Sequence, residues 1–171
     1  MARIFYPSAE KLSFLLDSIH EGEVALPDFQ RDFVWQPQAT AELIESICQN
    51  FPAGSLLRIK NSASGYFKPR QVEGAPALGD NGNPSYLILD GQQRLTSLYQ
   101  ALYGAGTHRY FMDLASLMQD KDLEDCLFYE RERRAEKKYG TLEKQAEMLV
   151  LPLAWLFGQR GGFEEWLDQV L

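Results

Sequence analysis

The chain has 171 residues, 45% of them hydrophobic and 24% charged, a make-up that fits one folded globular domain and excludes a disordered or collagen-like chain. A chain of that length buries roughly two-thirds of the surface its unfolded form exposes, so its core stands without staples. With 17 basic and 24 acidic residues the net charge is -7, which repels a polyanion at long range and disfavours generic DNA binding by this piece alone.

Residues 9–20, AEKLSFLLDSIH, place Leu12, Leu15, Leu16 and Ile19 at helical intervals and predict a first amphipathic helix, with Ser8 as its N-cap after Pro7. EGEVALPDFQRDFVWQPQ then runs through Gly22, Pro27 and Pro37 and is expected to be extended. Helical period returns over 38–50 through Leu43, Ile44 and Ile47. GSLLRIK, 54–60, reads as a short strand, and the Gly-, Pro-, Asn- and Ser-rich residues 61–85 as a long loop or hairpin insertion. YLILD, 86–90, has the apolar make-up of a buried strand, and RLTSLYQALYG after it is a helix closed by Gly104. Strand, tight turn and helix thus follow one another directly.

HRYFMDL, 108–114, alternates Tyr110, Met112 and Leu114 against Phe111 and Asp113 and predicts another strand. ERERRAEKK, 130–138, interleaves both signs of charge and reads as a solvated surface element rather than a nucleic-acid patch. LVLPLAWLF, 149–157, is apolar but interrupted by Pro152, and predicts a buried segment entering a short helix. GFEEWLDQVL places Phe163, Trp166, Leu167 and Val170 at helical intervals, an apolar stripe that calls for a partner in a longer protein or another subunit.

Several chemistries are absent from this pattern. Cys48 and Cys126 lie far apart with no ligand spacing around them, so both read as small apolar side chains in a reducing cytosol rather than zinc ligands. His20 and His108 are isolated, and Tyr99 and Tyr103, four apart, read as core. There is no GxxxxGKS loop, no GxSxG serine and no histidine cluster for an HNH nuclease site. The N-terminus lacks an uninterrupted apolar run, and no stretch reaches the roughly 20 apolar residues that cross a bilayer.

The chemistry concentrates in LILDGQQRLTSLYQAL, 87–102. A strand ending at Asp90 and Gly91 that feeds a helix near Gln92 leaves backbone N–H groups unpaired at a helix N-terminus, where the dipole also favours negative charge. Gly91 admits close approach to the backbone, and Arg94 offers a fork of donors matched to phosphate oxygens. Gln92 and Gln93 are suited to orienting a water or a polar ligand edge. Asp90 is suited either to a divalent cation carried by phosphates or to capping the helix. A purely structural turn is the competing reading. The second constellation is LPDFQRDFVW, in which Phe29, Phe33 and Trp35 flank Gln30, Arg31 and Asp32. The Gln30–Arg31 pair repeats the Gln93–Arg94 pair, and two arginines converging on one pocket are a common way to hold polyphosphate.

LPDFQRDFVWQPQATAELIESICQNFPAGSLLRIK followed by YLILDGQQRLTSLYQALYG resembles the N-terminal domain of the GmrSD-type family of modification-dependent restriction and phage-defence proteins, over about residues 8–115. The resemblance implies an α+β fold of the ParB and sulfiredoxin kind, a small mixed sheet with surrounding helices, in which a GxxR turn cradles phosphates. It implies binding, and in the full protein hydrolysis, of a nucleoside triphosphate (ATP, GTP, CTP or UTP) with Mg2+. Carried over by position, Asp90 is the metal-linked or water-positioning acid and Gln93 the second catalytic candidate. Gly91, Gln92 and Arg94 form the nucleotide-binding turn, which Gln30 and Arg31 complete. The implied partner is an HNH-type nuclease domain or subunit that cuts DNA, with DNA reached through the complete protein. The expected setting is cytoplasmic, with no membrane and with homo-oligomerisation open. Residues 1–120 are then the nucleotide-binding domain, and 121–171 a helical extension leading to an absent C-terminal region. The alternatives are a ParB-like DNA-binding or nicking module and a non-catalytic interaction domain.

Overall fold

A computed structural model of the chain describes residues 8–61, 67–78, 82–158 and 160–170. The N-terminal residues 1–7 and parts of the 61–85 loop therefore lie outside the described residues. Helical spacing of apolar residues sets the first element: Leu15, Leu16 and Ile19 are buried along one face of α1, Leu12–His20. The helix begins at Leu12 with Lys11 at its N-cap and no capping side chain, so the cap expected of Ser8 is not used.

Strand β1, Val24–Pro27, is buried throughout. A turn in which Gln30 N–H donates to Pro27 O at 3.2 Å ends it. Residues 28–36 are free of regular structure, as the prolines at 27 and 37 require, and α2, Pro37–Cys48, starts on a proline whose missing N–H is harmless in a first helical turn. β2 spans Leu57–Lys60. The long loop also contributes a two-residue strand, β3, Pro69–Arg70, which pairs antiparallel with β1. β4, Tyr86–Asp90, leads through Gly91 into α3, Gln92–Tyr103, closed at Gly104 in the left-handed conformation at φ 64°.

These strands form a mixed sheet in the order β2-β4-β1-β3, with β4 parallel to β1 and antiparallel to β2. The parallel register, Val24 against Tyr86 and Ala25 against Leu87, brings the chain leaving β1 beside the C-terminal end of β4. That is where α3 starts. Ligand sites in sheets with parallel strands commonly lie outside such strand ends. The core beneath joins Leu16 and Ile19 of α1, Leu26 of β1, Ile44 of α2 and Leu95 and Tyr99 of α3, all nearly or fully buried.

The remainder is not the helical extension expected after residue 120. β5, His108–Asp113, lies before that position and pairs with β6, Leu127–Arg131, and β7, Val150–Pro152, after it, making a second antiparallel sheet ordered β6-β5-β7. Between and after these strands run α4 (Leu114–Leu117), α5 (Leu123–Cys126), α6 (Glu132–Tyr139), α7 (Leu142–Glu147), a 3₁₀ turn (Leu153–Leu156) and α8 (Arg160–Val170). The charge run falls on β6 and α6, exposed from 131 to 134 with Ala135 turned inward. One residue of the C-terminal stripe finds its partner within the chain: Trp166 is 2% exposed where α8 packs on α7 and the 3₁₀ turn, while Leu167 stays 37% exposed. Two sheets with helices around them make this an α+β fold. No helix among the described residues is long and apolar enough to cross a membrane.

Candidate functional site

Gly91 sits at φ 89°, a conformation that L side chains rarely adopt, and a Cβ there would lie 2.2 Å from Leu56 Cδ2. This left-handed residue turns β4 directly into α3. Among the described residues, the backbone N–H groups of Gln92, Gln93 and Arg94 have no acceptor, and the first bond of the helix is Leu95 N–H to Gly91 O at 3.0 Å. Asp90 makes no capping bond, and its carboxylate is 71% exposed beside this terminus. Capping is thus removed from the roles open to Asp90.

The second constellation lies against the first. A cleft of about 380 Å³ has Phe29, Gln30, Arg31 and Trp35 on one wall and residues 89–94 on the other. What fixes the first wall is a set of side chains bonded to its backbone. Gln30 Nε2 donates to Ile88 O at 2.7 Å and Leu89 O at 3.0 Å, supplying β4 with donors where β1 has turned away. Gln92 Nε2 donates to Arg31 O at 2.6 Å, and Gln93 Nε2 to Asp32 O at 3.0 Å. Gln93 Oε1 in turn accepts from Val34 N–H at 2.9 Å. From the opposite side Arg70 Nη2 donates to Gln30 O and Arg31 O at 3.2 and 3.0 Å. Glu73 Oε1 accepts both Arg70 Nη1 at 2.9 Å and Phe33 N–H at 3.2 Å.

This changes the part played by the glutamines. Gln92 and Gln93 are 7% and 9% exposed, and their amide nitrogens are bonded to the 31–32 backbone. Gln93, with its oxygen also engaged by Val34 N–H, is positioned to orient the 31–34 segment. Arg70 and Glu73, which hold the 30–33 backbone of this wall, are not legible as such in the sequence. They stand in a Gly- and Pro-rich loop where a charged pair three residues apart reads as ordinary surface.

The two arginines of the cleft also differ. Arg94 donates to Ala53 O and Ser55 O, both at 2.7 Å, and its guanidinium lies 3.8 Å from the Asp90 carboxylate. Gly54, at φ 85°, makes that seat possible, since a Cβ there would lie 1.9 Å from Arg94 Nη1. Arg31 is exposed, and its guanidinium has no hydrogen bond or ion pair among the described residues. Its carbonyl is held from both sides while its cationic end is left unengaged.

The remaining candidates lie elsewhere. His20 is hydrogen-bonded to Tyr99 at 2.9 Å, and burial pushes the Tyr99 hydroxyl up to about 12. His108 lies in β5, where burial and then the Arg131 charge lower its pKa. Cys126 is buried as expected, whereas Cys48 is exposed at the end of α2. No group of three or more His, Cys, Asp or Glu side chains among the described residues could hold a metal ion on its own.

The chain is 34% identical over 172 residues to an uncharacterized protein of Methanocaldococcus jannaschii, an alignment covering 89% of this chain and 29% of that protein. The chain thus spans less than a third of that relative's length. The family of the GmrSD restriction endonuclease N-terminal domain matches residues 12–157, well past the 8–115 over which the motifs alone carried the likeness and across both sheets. The chain belongs to the GmrSD restriction endonuclease N-terminal domain family.

Proposed function

We propose that the cleft binds a nucleoside triphosphate, with its phosphates against the N-terminus of α3. The observation that carries this reading is the convergence, in one cleft, of unpaired first-turn N–H groups and the guanidinium of Arg31, unengaged among the described residues. Each favours an anion, and together they favour one with several oxygens. A chain of net charge -7 draws such a ligand only by local donors, and a phosphate within the screening length of about 8 Å feels those first.

Mg2+ fits this site as a companion of the phosphates. It keeps most of its waters and takes one or two carboxylates together with phosphate oxygens, so the single exposed carboxylate of Asp90 at the strand end is a suitable protein ligand. The ion would supply neutralisation of charge on the transferring phosphate. Hydrolysis is proposed for the site in its full-length setting, with Asp90 as the acid that holds the metal or positions water. Arg31 is then the phosphate ligand, Arg94 shapes the turn, and Gln30, Gln92 and Gln93 hold the wall that bears Arg31. As part of a restriction protein, the domain would couple nucleotide turnover to an HNH-type nuclease domain or subunit, with DNA reached through the complete protein.

The test is thermal unfolding of the chain with each ribonucleoside triphosphate and Mg2+, for the wild type and Arg31→Ala. A ligand at a hundred times its dissociation constant stabilises by about 2.7 kcal/mol, so occupation raises Tm visibly. The reading expects that rise in the wild type and its loss in Arg31→Ala. Equal curves with and without millimolar nucleotide contradict it.

A further inference from the structure

We propose that Phe29 is the platform on which the base of the nucleotide stacks, an inference that rests on the nucleotide reading of the cleft. Phe29 is 60% exposed, on the same wall as Arg31 and Trp35. The ring is mostly open to water, yet its position is restrained. The turn closed by Gln30 N–H to Pro27 O holds its backbone on one side. On the other, the next residue, Gln30, is pinned by its amide to the carbonyls of Ile88 and Leu89. The Phe29 ring itself meets that of Phe67 edge to face, with centroids 5.0 Å apart and an interplanar angle of 61°. A ring held in this way loses little freedom when a base stacks on it, which is the condition under which a contact contributes most of its energy to binding.

A second observation points to stacking instead of edge recognition. Of the amide groups that would read the edge of a base, Gln30 has both N–H groups on Ile88 O and Leu89 O, and Gln92 and Gln93 each direct one to the 31–32 backbone from buried positions. Gln30 Oε1 is buried, and Gln93 Oε1 accepts from Val34. What the cleft offers toward solvent is cationic, anionic or aromatic: Arg31, Asp90 and Phe29. The first two suit the phosphate and metal end of the ligand, and Phe29 suits the base, since every base has a π-face.

Calorimetric titration of the chain with ATP and with inorganic tripolyphosphate, both with Mg2+, separates the two ends. Wild type should bind ATP roughly tenfold more tightly than tripolyphosphate, the gain expected of one base on one aromatic ring. Phe29→Ala should bring ATP down to the affinity of tripolyphosphate while leaving tripolyphosphate unchanged, and Phe29→Tyr should keep the preference. A Phe29→Ala chain that still prefers ATP by the same factor, or that loses both ligands equally, overturns the inference and leaves the phosphate site standing. Binding of neither ligand by the wild type overturns the nucleotide reading and this inference with it.

Discussion

Arg31 and Arg94 border the same cleft, yet removing each has a different consequence. Arg31 is exposed and unengaged among the described residues, so Arg31→Ala should leave unfolding stability within about 0.5 kcal/mol of wild type while weakening triphosphate binding. A charge-assisted hydrogen bond contributes about 1.5–3 kcal/mol, so the affinity measured by calorimetry should fall by roughly one to two orders of magnitude. Arg94 carries the 53–55 loop through its bonds to Ala53 and Ser55. Arg94→Ala should therefore lower stability as well as affinity. Gly54→Ala should do so without touching a charge, because it places a side chain at φ 85° and against Arg94. The expected cost is about 1–3 kcal/mol in urea unfolding. Wild-type stability in that variant would remove Arg94 from its seat in the account. At this scale the sequence revealed which residues gather and concealed what they do. The turn at 90–94 and the arm at 29–35 were legible because glycine, arginine and aromatic residues have few roles in such a pattern. The duties of Gln92 and Gln93 were not legible, because an amide serves equally well toward a ligand or a distant backbone, and only the fold places residues 31–34 within reach.

The arm formed by residues 28–36 has no helix or strand of its own, and its order comes from Arg70, Glu73, Gln92 and Gln93. Arg70→Met should weaken triphosphate binding through Arg31. In a double-mutant cycle its effect should nearly vanish once Arg31 is alanine, since residues acting through one another are not additive. Additive losses would mean that Arg70 supports the fold alone. At the start of α4, Asp113 accepts from Ser116 N–H at 3.0 Å and from Ser116 Oγ at 2.9 Å. The Ser116 backbone bond is the main reason its carboxyl lies below the ordinary 3.8. A depressed folded pKa means that this contribution is complete above the unfolded value and is lost as pH falls from 3.8 through the folded one. Asp113→Ala should cost about 1 kcal/mol at neutral pH and much less in acid, measured by urea unfolding at both. The helices α1, α2 and α3 and the strands β4 and β5 were readable from apolar spacing and glycine stops. The strands β3, β6 and β7 were not. Their two to five residues carry too little periodicity, and they exist because β1 and β5 present edges for them to pair with.

Across the whole molecule, acidity and a local cationic site coexist. A net charge of -7 should keep the isolated chain off duplex DNA, so mobility-shift titration at physiological salt should give no retarded complex. A tight, salt-dependent complex would instead favour a DNA-binding module. The C-terminal helix, expected to seek a partner outside the chain, closes on α7 with Trp166 buried, and the second sheet ties the segment after residue 120 to the strand before it. The matched family region runs through that sheet, so the cleft belongs to a unit larger than the residues that first pointed to it. The most direct test of the central claim is a map of backbone amide chemical shifts as ATP and Mg2+ are added. The amides of Gly91, Gln92, Gln93 and Arg94 should move together and saturate with one affinity, and Arg31→Ala should weaken the whole set. Amides at 91–94 that stay in place while residues elsewhere respond would contradict it.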